Sequence, residues 1–123
     1  MEDAAKIKSK AFALRIINLY KYLCNEQKEY VLSKQILRSG TAIGANLAEA
    51  RRAISKKDFM AKVYVALKEC SETEYWLELL YESGYVKREW FESIYEDCQE
   101  LLRILNATTK KLVQESRNNE KKS

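Results

Sequence analysis

Apolar residues recur along this chain in alternating steps of four and three. That spacing lines them up on one face of an α-helix packed against others. Ala5, Ser9, Phe12, Ile16, Leu19 and Leu23 form the first such seam, and Ala13, Ile17 and Tyr20 widen it as a bundle helix requires. The pattern predicts a first helix over about 3–25. A polar break at Asn25–Lys28 follows, and Tyr30-Val31-Leu32 leads into Ser33, a residue suited to cap a second helix over about 34–52. The second seam is Ile36, Gly40, Ile43, Leu47 and Ala50, with Ile54 next in register. Ser55 with Asp58 three residues on approximates a capping box and opens a third helix over about 56–83. Its seam is Phe59, Val63, Ala66, Cys70, Thr73, Leu77 and Leu80, and Gly84 supplies the left-handed residue that closes such a helix. A fourth helix over about 88–114 carries Phe91, Ile94, Cys98, Leu101, Leu105 and Leu112. Residues 116–123 are polar and basic and are expected to form a flexible tail. Four such helices joined by short breaks make an all-α, antiparallel up-down-up-down four-helix bundle over residues 1–115.

The second helix is unusual in its small residues. Gly40, Gly44 and Ala48 lie four apart on one strip, and each glycine costs a helix interior about 1 kcal/mol relative to alanine. Close approach of another helix or subunit is the compensation expected. Polar residues stand near the same seam, and a carboxylate there must be paired or hydrogen-bonded. Arg38, Ser39, Asn46 and Glu49, with Glu72 and Tyr75 from the third helix, are therefore expected to form a polar network that sets helix register.

Composition narrows the function classes. A chain of 123 residues suits one domain, and the absence of proline with only three glycines favours long helices over strands. No apolar run approaches the length of a membrane span, and Met1–Lys6 lack the hydrophobic segment of a signal peptide, so a cytosolic location is expected. The three cysteines, Cys24, Cys70 and Cys98, form no C-x-x-C pair and read as small buried hydrophobes. Trp76 and Trp90 read as core or interface aromatics. There is no histidine, which removes the commonest general base and the commonest metal ligand together. A di-iron bundle needs Glu-x-x-His pairs and is excluded. Ser39 and Ser71 have no histidine to activate them, and no phosphate-binding glycine loop is present. No catalytic residue, metal or cofactor is expected.

Charge follows the topology. Segments 1–15, 45–65 and 103–123 fall at one end of the bundle and hold 15 Lys/Arg against 6 Asp/Glu, a net of +9. The remainder holds 7 against 12, a net of −5, and the two add to the chain's +4. Arg51, Arg52, Lys56, Lys57, Lys110, Lys111 and Arg117, with Lys121 and Lys122, share the basic end and are candidates for contact with phosphate backbones. Aromatic residues for stacking on single strands are sparse there.

A further signal lies in Arg38-Ser39-Gly40-Thr41-Ala42-Ile43-Gly44-Ala45-Asn46-Leu47-Ala48-Glu49-Ala50. This stretch resembles the signature of a bacterial four-helix bundle family, the 23S rRNA intervening sequence proteins. A second block agrees, in order: Ser55-Lys56-Lys57-Asp58-Phe59, Ala66 to Thr73, and Tyr75-Trp76-Leu77. Ala42, Leu47 and Cys70 depart from the usual serine, isoleucine and alanine. The resemblance implies an antiparallel bundle, often assembled as a homopentamer, and supplies no catalytic residues. It also implies kinship with the accessory protein of diversity-generating retroelements, a basic pentameric barrel that engages reverse transcriptase and RNA. The function expected is a non-enzymatic, oligomeric bundle that binds structured RNA or a ribonucleoprotein through its basic end. The competing expectation is a protein-interaction adaptor whose acidic face, on the third and fourth helices, docks a basic partner.

Overall fold

Each of the four seams becomes the buried stripe of a helix. The computed structural model describes residues 3–122, which form α1 (Asp3–Asn25), α2 (Leu32–Ala50), α3 (Lys56–Glu82) and α4 (Arg88–Lys122), with no strand among them. Packing runs α1 on α2, α2 on α3, α3 on α4 and α4 back on α1, while neither diagonal pair approaches as closely. The molecule is the expected up-down-up-down four-helix bundle. All six α1 seam residues are buried, and Ile36, Ile43, Leu47, Val63, Ala66, Leu77, Leu80, Ile94, Leu101 and Leu105 complete the core with them. Burying each large aliphatic side chain contributes about 1.5–3 kcal/mol. Phe59, Phe91 and Leu112 sit at the core's edge, half-buried against it.

The helix ends explain where the chain departs from the sequence pattern. Ser33 does not cap α2. The Glu29 carboxylate does so, accepting from the backbone N–H groups of Val31 (3.2 Å), Leu32 (3.1 Å) and Ser33 (2.7 Å). The helix therefore starts at Leu32, and Ser33 is buried inside it with Oγ 3.7 Å from Cys24 Sγ. Lys28, at a left-handed φ of 54°, turns the chain just before this cap. α2 ends at Ala50 rather than 52, and Ile54 lies outside the core at 95% exposure, because the turn that reverses the chain intervenes.

The α3 cap is the expected one: Ser55 Oγ accepts from Asp58 N at 3.0 Å, and the Asp58 carboxylate accepts from Ile54 N at 3.3 Å. α3 stops at Glu82. Gly84, at φ 88°, is followed by hydrogen bonds from Gly84 N to Tyr81 O (3.0 Å) and Tyr85 N to Leu80 O (2.9 Å), the paired pattern that closes a helix on a left-handed residue.

α4 does not end at 114. It runs as helix through residues 116–122, where a flexible tail was expected, and Ser123 lies outside the described residues. No glycine or proline interrupts 107–122, and its lysines, glutamates, glutamine and arginine propagate a helix well. At 35 residues α4 is about 50 Å long and longer than any other helix of the bundle.

Of the three small residues on α2, one makes the close approach. A Cβ on Gly40 would lie 2.8 Å from Ile16 Cγ1 and 2.9 Å from Cγ2, so α1 and α2 pack flush there. A Cβ on Gly44 would meet Ser9 Oγ at 3.4 Å, an ordinary contact, and Ala48 is exposed. Within the protomer, then, Gly44 and Ala48 are not close-packing residues. They wall an open groove with Ser9 and Ala13. The two glycines should respond oppositely to alanine. Gly40→Ala should lower stability by about 1–3 kcal/mol, since Ile16 is β-branched and clashes near its own backbone. Gly44→Ala should be neutral or raise stability by up to about 1 kcal/mol through helix propensity. Denaturant midpoints of the two variants check the pair.

Candidate nucleic-acid interface

Antiparallel packing brings the start of α1, the end of α2, the start of α3 and the C-terminal turns of α4 to one end. Arg51 lines the groove between α1 and α2 together with Lys6 and Lys10. Arg52 is exposed in the following turn. Lys56 and Lys57 line a trough against α4 whose far wall includes Glu115 and Glu120, so their field is partly balanced. Lys111 faces a different hollow, beside Ala5 and Phe59. Lys110 and Arg117 face a fourth surface, with Lys121, Tyr64, Thr109, Val113, Gln114 and Asn118. The side chain of Lys122 lies outside the described residues. The predicted basic residues thus share one end but divide among separate surfaces.

The fourth surface is distinctive. Lys110, Arg117 and Lys121 are spaced seven and four apart, within about 20° of one line along α4. No carboxylate lines this trough, and none of its three cations enters an ion pair among the described residues. Tyr64, from α3, lines the trough and is 38% exposed. Its place was not visible in the sequence. Tyr64 and the α4 residues of the trough are 45 or more residues apart, and a helix ending at 114 does not show the row of cations.

The acidic side of the molecule is differently used. Arg38 forks onto Glu69 (2.9 and 3.2 Å) and reaches Glu72 at 2.5 Å, while Trp76 Nε1 donates to the same Glu72 oxygen at 2.9 Å. The Tyr95 hydroxyl donates to Glu78 at 2.5 Å, which with burial pushes that phenol well above its ordinary value. Arg15 pairs with Asp97 (2.7 Å) and Lys8 with Glu100 (3.2 Å), tying α1 to α4. Gln99 donates to Glu74.

The expected polar network exists in pieces. Arg38 and Glu72 belong to the cluster just described. Ser39 shares a buried hydrogen bond of 2.8 Å with Thr73, and Glu49 pairs with Lys62 at 3.2 Å. All three pieces join α2 to α3. Asn46 is not part of them, since its amide donates to the Ala42 carbonyl of its own helix at 2.8 Å. Tyr75 is exposed and meets Trp76 edge to face. Among the described residues no buried side-chain polar atom lacks a hydrogen-bond partner.

Cys70 and Cys98 are free and buried, their sulfurs 3.9 Å apart, and each lies 3.6 Å from the other's carbonyl oxygen. That contact and burial push the Cys98 thiol far up, so it is a poor nucleophile. No group of three or more His, Cys, Asp or Glu is placed to hold a metal among the described residues. No described helix is long and apolar enough to cross a membrane.

Comparison with known proteins agrees with this architecture. The family model described as 23S rRNA-intervening sequence protein matches residues 4–107. A solved structure from Bacteroides thetaiotaomicron, described as a protein of unknown function from the S23 ribosomal protein family, is 57% identical. It superposes with a TM-score of 0.85 over 86% of this chain and 98% of that one. No curated protein matches.

The Glu72 cluster makes a testable claim about pH. The Trp76 indole N–H, and after it Arg38, hold the Glu72 carboxyl below the usual carboxylate range. A carboxyl depressed in the folded state stabilises above its unfolded pKa of about 4.3, and that stability is lost as pH falls through the folded value. Denaturant midpoints measured from pH 6 down to pH 3 should therefore fall, and Glu72→Gln should flatten the fall. Equal slopes for the two proteins would remove Glu72 from the account.

Proposed function

Since the chain belongs to the 23S rRNA-intervening sequence protein family, we propose that it is a non-enzymatic, cytosolic bundle that binds structured RNA or a ribonucleoprotein through its basic end. The observation that carries this reading is the separation of charge, +9 at one end against −5 over the rest. A pole of that size attracts phosphate backbones without reading sequence.

The use made of the two kinds of charge supports the reading further. Glu69, Glu72, Glu78, Asp97 and Glu100 are engaged in ties between helices, which leaves them poorly suited to dock a basic partner. Arg51, Arg52, Lys56, Lys57, Lys110, Lys111 and Arg117 enter no ion pair among the described residues. Binding by the basic end is accordingly favoured over an adaptor working through the acidic α3/α4 face.

The reading includes assembly as a homo-oligomer, a homopentamer by the resemblance given above. Two surface features support it. Ile7 and Leu14 stand exposed one heptad apart on α1, and the α1–α2 groove is walled by Ala13, Gly44, Ala45 and Ala48, small enough to admit another helix. Several poles on one rim would multiply weak phosphate contacts.

Filter binding with structured RNA should give an affinity that falls steeply with salt. Reversing Arg51, Arg52, Lys56 and Lys57 together to glutamate should weaken it by about tenfold or more. Light scattering should report a mass several times the 14.4 kDa of one chain. Binding that is absent at low salt, or indifferent to salt, contradicts the reading. Full retention of a partner by the quadruple variant would favour the acidic face instead, and a monomeric mass would remove the assembly.

A further inference from the structure

We infer that the trough between Tyr64 and the last four turns of α4 is a binding site for an unpaired stretch of nucleic acid, with Tyr64 as a stacking platform and Lys110, Arg117 and Lys121 as phosphate contacts. The inference rests on the basic-end reading and deepens it by naming the form of the ligand.

Four observations converge on it. The trough has a volume of about 560 Å³ and holds both kinds of group that single-strand binding needs: a ring for a base face and cations for the backbone. The cations are in line. At about 1.5 Å of helix rise per residue, Lys110 and Arg117 are about 10 Å apart along α4, and Arg117 and Lys121 about 6 Å. They therefore form an extended track rather than one point of charge. No carboxylate lines the trough, unlike its neighbour behind Lys56 and Lys57, where Glu115 and Glu120 stand. Gln114 and Asn118 add amide donors and acceptors beside the track that suit base edges or sugar hydroxyls.

The α4 side of the site lies outside the region that the family model matches. The family match ends at residue 107, and every α4 residue of the trough lies past it. The helical continuation to Lys122 builds the wall, while the matched region contributes Tyr64. A duplex suits this surface poorly, because its base faces are stacked on each other and cannot reach Tyr64. An acidic polypeptide would satisfy the cations and leave the ring without a role.

Fluorescence anisotropy with a labelled mixed-sequence 12-nucleotide strand, and separately with a duplex of the same length, tests the site. Tyr64→Ala should weaken single-strand binding by about five- to hundredfold and leave duplex binding unchanged, while Tyr64→Phe keeps both. Replacing Lys110, Arg117 and Lys121 together by glutamine should weaken single-strand binding and lower its salt dependence. Tyr64 is over a third exposed, and unchanged thermal melting of Tyr64→Ala confirms that the fold is intact. The Tyr64 effect is expected on RNA and DNA strands alike, and the tighter of the two identifies the preferred strand. Wild-type binding that Tyr64→Ala leaves untouched, or competition by polyglutamate as strong as by the strand itself, overturns the stacking site while the basic-end reading stands. No binding of either nucleic acid by the wild type overturns both.

Discussion

Ile16 seats directly on Gly40, and that contact sets the level at which α1 and α2 lie against each other. Everything at the ends of the bundle depends on that level. Once α2 is placed, Ser39 meets Thr73 in the core and Arg38 meets Glu69 and Glu72 at its edge, which fixes α3. α3 in turn places α4 through the Cys70–Cys98 contact, the Tyr95–Glu78 hydrogen bond and the Tyr81–Phe91 ring stack. Arg15–Asp97 and Lys8–Glu100 close the square. Helices packed only through aliphatic stripes could slide by a turn at little cost. The polar pairs penalise that slip, because a shifted register would leave the Ser39 hydroxyl buried without its Thr73 partner, while Thr73 keeps the Glu69 carbonyl of its own helix at 2.8 Å. The turn after α2, the cap of α3 and the last turns of α4 consequently lie at one end, and a charge pattern scattered along the sequence becomes a pole.

Much of the fold was legible in the sequence, for a specific physical reason. Four-three spacing is a direct image of helix geometry, and Ala5 to Leu23 on α1 or Val63 to Leu80 on α3 leave no room for another period. The Ser55–Asp58 cap and the Gly84 stop were legible because each rests on one residue's local chemistry. Glu29 was not, since it follows a left-handed Lys28 and its carboxylate reaches forward to cap a helix starting three residues later. The end of α4 was missed for a different reason: polarity beyond Leu112 resembles a tail, yet polar residues of high helix propensity can continue a helix that is already nucleated. Gly44 and Ala48 wall an open groove within the protomer, because small residues mark such a groove as readily as a tight contact.

The candidate site was half legible. Its cations could be assigned to one end from topology alone. Their division among separate surfaces could not, because that depends on which side of α4 each side chain leaves. Lys110 and Lys111 are adjacent in sequence and face different hollows. The contrast between engaged acids and unpaired bases likewise appears only in three dimensions. Glu69, Glu72, Glu78, Asp97 and Glu100 tie helices together, whereas Arg51, Arg52, Lys56, Lys57, Lys110, Lys111 and Arg117 at the opposite end enter no ion pair among the described residues. A surface that keeps unpaired like charges at one place accepts mutual repulsion, and a polyanionic partner relieves it.

The central claim is that nucleic acid meets this protein at its basic end, and photo-crosslinking tests it most directly. Irradiating the protein with bound RNA and mapping the modified peptides by mass spectrometry locates the contact without any substitution. The account predicts crosslinks within residues 51–64 and 107–121, and none around Tyr30, Tyr85 or Trp90. Crosslinks concentrated on those three, at the opposite end, would contradict it.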